Sequence, residues 1–347
     1  MQRFYCNCGQ EVYFADTHCI ACGKELGFDP VQRHLYCGRR DGHVFVAELP
    51  NGSEKRFKVC DNHHEPVRCN WLLAEDDPHH QCISCRTTNI IPDQYQPKNP
   101  QRWRRLEEAK RRLFDTLISL GLDVRGAPDR VNGLRFDFLE DQRSNPYVDI
   151  EFVLTGHSHG LITLNAAEAD EGFLHTMKEQ MNEPYRSLLG HFRHEVGHYY
   201  WERLLRSESL VQFRRVFGDE RFDYGQALRS YYQYGPQRNW EVSFISAYAS
   251  SHPFEDWAET WAHYLHITDT LETARVYGLS NYVQNRHDFE LWVNEWLKVV
   301  KVMNALNRSM GLADPYPFVL SPIVMSKLRF IDELVDSQAR HNDKSGR

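Results

Sequence analysis

The chain has 347 residues, 41% hydrophobic and 13% aromatic, with 41 Lys and Arg against 48 Asp and Glu and a net charge of −7. That composition can bury a sizeable core and excludes a disordered chain. The acidic balance argues against a nucleic-acid partner, and no apolar run is long enough to cross a bilayer, so no membrane association is expected.

The N-terminus, "MQRFYCNCGQ", lacks the basic start and apolar run of a signal peptide. A cytoplasmic location is expected, where thiols stay reduced and clustered cysteines serve as metal ligands rather than disulfides. All nine cysteines lie between Cys6 and Cys85. "CNCG" (6–9) and "CIACG" (19–23) are two short loops, each closed by a glycine, about ten residues apart. Thiolate pairs on such turns gather four sulfurs around one ion, so Cys6, Cys8, Cys19 and Cys22 are assigned to a first structural zinc site. "CISC" (82–85) is a second knuckle, whose partners are sought in "CDNHHEPVRC" (60–69). Cys60, Cys69, Cys82 and Cys85 make a second site, with His63 or His64 as substitutes and Cys37 left over.

A Pro-rich connector, "IIPDQYQPKNP" (90–100), follows and reads as a linker. Apolar residues at helical spacing predict a helix over 103–122, ending at a glycine able to cap it. Residues 134–165 read as strand, including "YVDIEFVLTG", with "GHSHG" (156–160) as a hairpin turn. Beyond residue 180 helices are predicted near 181–206, 209–217, 223–234, 254–277, 286–307 and 321–340. The class expected is α+β: an N-terminal zinc-ribbon segment, then a mostly helical domain with a small antiparallel sheet. The divisions are a double ribbon region at 1–89, a linker at 90–102, a helical domain at 103–341 and a disordered tail at 342–347.

"HEVGH" (194–198) sets His194 and His198 one helical turn apart, so both imidazoles point to one side. That spacing supplies two ligands to one zinc ion, and Glu195 stands where a carboxylate can take a proton from an activated water. Gly197 leaves room where a side chain would crowd the cleft. Leu188, Leu189, Phe192, Val196 and Tyr199 embed the pair in an apolar helix, where a buried polar group needs a partner. The third ligand is sought in "HPFEDWAETWAHYLH" (252–266), where Glu255, Glu259 and His263 recur every four residues on one face. One of them is the ligand, and a residue one turn on would hydrogen-bond a ligating histidine. His157 and His159 are placed in a hairpin beside the cleft, His252 in a turn, and "SYYQYGP" (230–236) in the core or a cleft wall.

"HEVGH" with a later Glu-bearing helix resembles the gluzincin branch of zinc metallopeptidases. "EDWAE" (255–259), with Tyr248 seven residues before it, resembles the catalytic helix of the anthrax lethal factor protease domain. That resemblance implies Glu255 as zinc ligand, Glu259 as its neighbour on the histidine, Tyr248 as donor to the oxyanion and Glu195 as general base. A thermolysin-like pattern would make Glu259 the ligand. Asp256 stands where that family usually has an aromatic. "CNWL" (69–72), "LTGHSHGLITLN" (154–165), "EPYRSLLGHFRHEVGHYYW" (183–201) and "HPFEDWAETWAHYLHITDTLETA" (252–274) are similar over nearly the full length to a bacterial family of zinc metallopeptidases with an N-terminal zinc ribbon. What this implies is a zincin-like domain holding one catalytic zinc beside two structural ones, hydrolysing a peptide or protein substrate. The alternative is an inert zinc-binding adaptor that grips a protein partner through its ribbon.

Overall fold

A computed structural model describes residues 2–127, 129–181, 187–283 and 288–345, with side chains of 177–181 and 341–345 left aside. The chain forms two units: Gln2–Ser119 with Asp123–Phe192, and Leu120–Leu122 with Arg193–Arg347.

In the first unit, β1 (Phe4–Tyr5) and β2 (Glu11–Val12) pair antiparallel around the first cysteine loop. A five-stranded meander follows: β3 (Glu25–Asp29), β4 (His34–Asp41), β5 (Val44–Glu48), β6 (Glu54–Val59) and β7 (Leu72–Ala74). Phe45, Ala47, Phe57, Val59 and Leu72 form its core. A bridge between Phe28 and Trp71 joins its first and last strands and curls the sheet on itself. Gly38 is required there, because a Cβ would stand 2.1 Å from the Val46 carbonyl oxygen. This meander was not expected between the cysteine loops. Its signal was the Asn51-Gly52 turn between two strand-like runs.

β8 (Thr88–Ile90) starts directly after the last cysteine turn, and α1 (Asn99–Ser119) fills most of the helix expected over 103–122. Gly121 takes φ +68° just beyond its end, as a helix stop requires. β9 (Arg135–Leu139), β10 (Gly156–Ser158) and β11 (Leu161–Asn165) complete a four-stranded sheet ordered β10-β11-β9-β8. The antiparallel pairing is confined to β10 and β11, whose turn places His159 and Gly160 at positive φ; β11, β9 and β8 run parallel. Residues 147–155, expected as strand, join no ladder. Ile150, Phe152 and Leu154 there alternate as a strand face would, but all three are exposed and the face is not buried. α2 (Glu171–Met181) closes this unit, and Phe192 packs on Phe136 and Phe138 of β9.

The second unit is helical: α3 (Leu188–Leu204) enters it at Arg193, followed by α4 (Ser207–Val216), α5 (Tyr224–Tyr234), α6 (Trp240–Ser243), α7 (Pro253–Val276), α8 (Phe289–Ser309) and α9 (Pro322–Ser345). The helix expected from 181 falls partly on 182–186, and that expected from 286 partly on 284–287, outside the described residues. Of the tail expected to be disordered, the backbone of 342–345 belongs to α9 and 346–347 lie outside the described residues. α7 is the central helix: Trp257, Ala258, Trp261, Leu265 and Leu271 are fully buried. Gly197 of α3 faces α7 rather than a cleft. A Cβ there would lie 3.1 Å from Ala258 Cα and from Trp261, and the Gly197 carbonyl accepts the Trp257 indole N–H at 2.8 Å. No helix of the described residues is long and apolar enough to cross a membrane.

Candidate metal centre

α3 carries His194, Glu195 and His198, with His194 and Glu195 buried. α7 starts at Pro253 behind His252, whose Nδ1 accepts the Phe254 N–H and whose Nε2–H donates to the Phe222 carbonyl. This cap puts Glu255 in the first turn, where exposed helix amides favour a carboxylate.

Three side-chain atoms converge. His194 Nε2 and His198 Nε2 are 3.3 Å apart, and Glu255 Oε2 is 3.0 Å from the first and 3.6 Å from the second. A tetrahedral zinc with bonds near 2.1 Å sets its ligands about 3.4 Å apart. Glu255 Oε2 is buried with no hydrogen-bond partner, while Oε1 accepts the Tyr224 hydroxyl at 2.6 Å. An orphaned carboxylate oxygen between two imidazole nitrogens is the environment a divalent cation satisfies. These three residues fit a zinc ion.

The surrounding groups fix that triangle. Glu259, one turn beyond Glu255, accepts the His194 Nδ1–H at 2.6 Å, and its other oxygen accepts Ser246 Oγ–H at 2.7 Å. A carboxylate only accepts, so Nδ1 carries a proton and Nε2 faces the centre. Burial would raise the Glu259 carboxyl, yet His194 and Ser246 hold it down to about 2. Burial likewise opposes charge on Glu255 and His194. The two histidines keep Glu255 well below the carboxylate range, and the two carboxylates keep His194 well above the usual imidazole.

The third candidate, His263, bonds to Tyr316 OH through Nδ1 at 2.8 Å. Asp256 faces away from the centre and pairs with Lys327 of α9 at 2.6 Å, both buried. Tyr248 sits with its ring 6.0 Å from that of His194, and its hydroxyl has no hydrogen-bond partner among the described residues. Burial and then Glu255 push the phenols of Tyr248 and Tyr224 up, and Glu195 contributes at both, so these four groups share one neighbourhood. Tyr224 escaped the sequence reading, which placed it only at the start of a helix expected near 223–234. Locally it shows only an Asp223 cap on α5, with Asp223 accepting from the Gln226 N–H. His157 closes its own hairpin by accepting the Gly160 N–H at 3.0 Å.

Both cysteine sets converge in the first unit. Cys6 and Cys22 sulfurs are 3.5 Å apart, Cys8 and Cys19 3.7 Å, and Cys69 and Cys82 3.8 Å. Four thiolates 2.3 Å from zinc stand about 3.8 Å apart, and these spacings are far beyond a disulfide bond of about 2.05 Å. Cys60, Cys69, Cys82 and Cys85 are all buried, and His63 instead bonds the Cys60 carbonyl through Nδ1 at 2.7 Å. Arg111 of α1, also missed, is buried against this second set. Burial opposes its charge, but Cys69, Cys85 and Glu107 hold its pKa above the ordinary guanidinium value.

A His-His-Glu triangle on two helices, with His194 and Glu255 buried and a carboxylate next to its first histidine, in a chain that also carries two four-sulfur clusters, is the residue set of a zinc-binding protein of the metallopeptidase class. The comparisons agree. Residues 99–334 match the family described as "Putative zinc-binding metallo-peptidase", and residues 3–96 match a zinc-ribbon domain. The chain belongs to that metallopeptidase family. It is also 40% identical over 350 residues to uncharacterized proteins of Mycobacterium bovis and of two Mycobacterium tuberculosis strains, covering 98% of this chain and 96% of each relative. No solved structure matches it.

Proposed function

We propose that the chain is a zinc-dependent peptidase whose catalytic ion is held by His194, His198 and Glu255. The observation that carries this reading is the triangle of 3.0, 3.3 and 3.6 Å edges with its orphaned Glu255 oxygen. Zinc at such a centre lowers the pKa of a water and polarises a carbonyl. Glu195 takes the proton of the attacking water and passes it to the leaving amine. Tyr248, with its hydroxyl uncommitted, donates to the oxyanion of the tetrahedral intermediate. Tyr224 holds Glu255 by its outer oxygen and Glu259 holds His194 by Nδ1, so neither ligand turns away. The cysteine sets act as structural zinc sites, since four sulfurs leave no open position.

The test is Glu195→Gln on a quenched-fluorescent peptide library cleaved by the wild type. We expect the zinc content to stay the same while kcat falls by about 10²- to 10⁴-fold. Equal turnover by the two chains would reject Glu195 as the base. A wild type that binds zinc at the triangle and cleaves nothing would favour an inert zinc-binding adaptor.

A further inference from the structure

α5 is a helix without a core face, since none of its residues is buried. The stretch 230–236 is therefore no part of the interior, and its tyrosines must serve something else. Tyr224, in the first turn, donates to Glu255 Oε1 at 2.6 Å and packs edge-on against His252, with ring centroids 5.2 Å apart. This fixes one end of α5 at the proposed centre.

From the centre a line of rings leads out to solvent. The His194 ring lies 6.0 Å from Tyr248, Tyr248 lies 5.6 Å from Tyr231, and Tyr231 lies 5.6 Å from Tyr232. The last two pairs meet edge to face, at 82° and 79°. The line ends at Tyr232, which is 62% exposed. The Tyr232 hydroxyl is still within electrostatic reach of those of Tyr224 and Tyr248, so it borders the neighbourhood of Glu195 and Glu255. All these residues belong to the second unit.

Single exposed aromatics are ordinary surface, but a connected line that starts at a proposed metal ligand is a wall of the site. Tyrosine offers a large contact area for the loss of few torsions. Rings prefer edge-to-face or offset neighbours, and a further ring extends such a line at Tyr232 in the same way. Between Tyr224 and Tyr234 the only charged residue is Arg229, with no carboxylate, so nothing on the helix draws a cationic side chain. Consecutive residues of a peptide are about 3.8 Å apart. Side chains flanking a bond held at the centre thus fall within reach of these rings.

We propose that α5 is the specificity wall of the peptidase, where Tyr231 and Tyr232 receive an aromatic side chain next to the bond that is cut. The inference rests on the His194–His198–Glu255 centre holding zinc, and it names the substrate class: peptides with Phe, Tyr or Trp beside the scissile bond.

The experiment reads binding as well as turnover. The zinc-loaded full-length chain is titrated by calorimetry with acetohydroxamate and with phenylpropanohydroxamate, which share a zinc-binding group and differ by a benzyl arm. Wild type is expected to favour the phenyl compound by at least about tenfold. Tyr232→Ala, at an exposed position, should cut that preference about 3- to 10-fold, while Tyr232→Phe, which keeps the ring, should retain it. The ratio of kcat/KM for peptides carrying Phe against Ala beside the cut should fall likewise in Tyr232→Ala. The proposal is overturned if wild type shows no preference, if Tyr232→Ala keeps it, if Tyr232→Phe loses it, or if aminohexanohydroxamate binds more tightly than the phenyl compound. Failure of both hydroxamates to bind, with no zinc lost in His194→Ala, would instead remove the metal centre, and the wall with it.

Discussion

Glu259 shows how one hydrogen bond governs an imidazole. Its carboxylate accepts the Nδ1–H of His194 and is itself held by Ser246, so the ring has one direction and turns Nε2 toward the proposed centre. Glu259→Gln keeps the shape but removes the charge. Zinc affinity at the proposed His194–His198–Glu255 centre should fall by about 10- to 100-fold, read by competition with a chelator, while zinc uptake by Cys60, Cys69, Cys82 and Cys85 should be unchanged. Unchanged affinity would show that the histidine needs no such partner. At this scale "HEVGH" was legible because helical spacing alone puts two histidines on one side. Glu255 and Glu259 followed from their spacing in a second helix and from the resemblance to known peptidases. Tyr224 and Arg111 were not legible, since each reaches its partner across tertiary distance from a segment whose local pattern speaks only of a cap or an amphipathic helix.

The centre exists because α3 and α7 approach closely, and Gly197 sets that approach. Gly197→Ala would place a methyl 3.1 Å from Ala258 Cα, which is backbone and cannot give without moving α7. Overpacking of this kind costs about 1–3 kcal/mol. Thermal unfolding should report the loss, and zinc affinity should fall with it, because Glu255 rides on the same helix. A variant as stable as wild type with lower zinc affinity would mean the helices part without disturbing the core. Sequence reading had assigned this glycine to a cleft, since periodicity says where a residue lies on its helix but not what stands opposite. Asp256 is similar: its pairing with Lys327 of α9 explains an acid where an aromatic is usual. The helices of the second unit were legible because their apolar patterns are long. The meander of β3–β7 was not, because its strands are short and metal-ligand spacing dominated the reading of that region.

For the whole molecule, acid stability is set in part by histidines buried without charge. His266 packs against the rings of Trp296 and Tyr316, and burial followed by Arg193 pushes its pKa down to about 3. Its folded value lies below the unfolded value of about 6.5. The folded state thus binds fewer protons, and stability is lost as pH falls from about 6.5 toward 3, by at most about 1.4 kcal/mol per pH unit. Denaturant titrations from pH 7 to pH 5 should show a shallower decline for His266→Phe than for wild type. Parallel curves would remove His266 from the account.

The family comparison divides the chain between residues 96 and 99, but the fold does not respect that seam. β8 leaves the last cysteine turn and becomes the outer strand beside β9, Arg111 of α1 answers the charge of the second sulfur cluster, and Arg86 meets Asp129 at 3.0 Å. A protein cut at that point would bare the flank of β9 and take from the buried Arg111 guanidinium its cysteine neighbours. The cysteine-rich segment is therefore no interchangeable accessory that could be swapped among enzymes. Whatever ancestry joined the two pieces, they now fold, and must be inherited, as one.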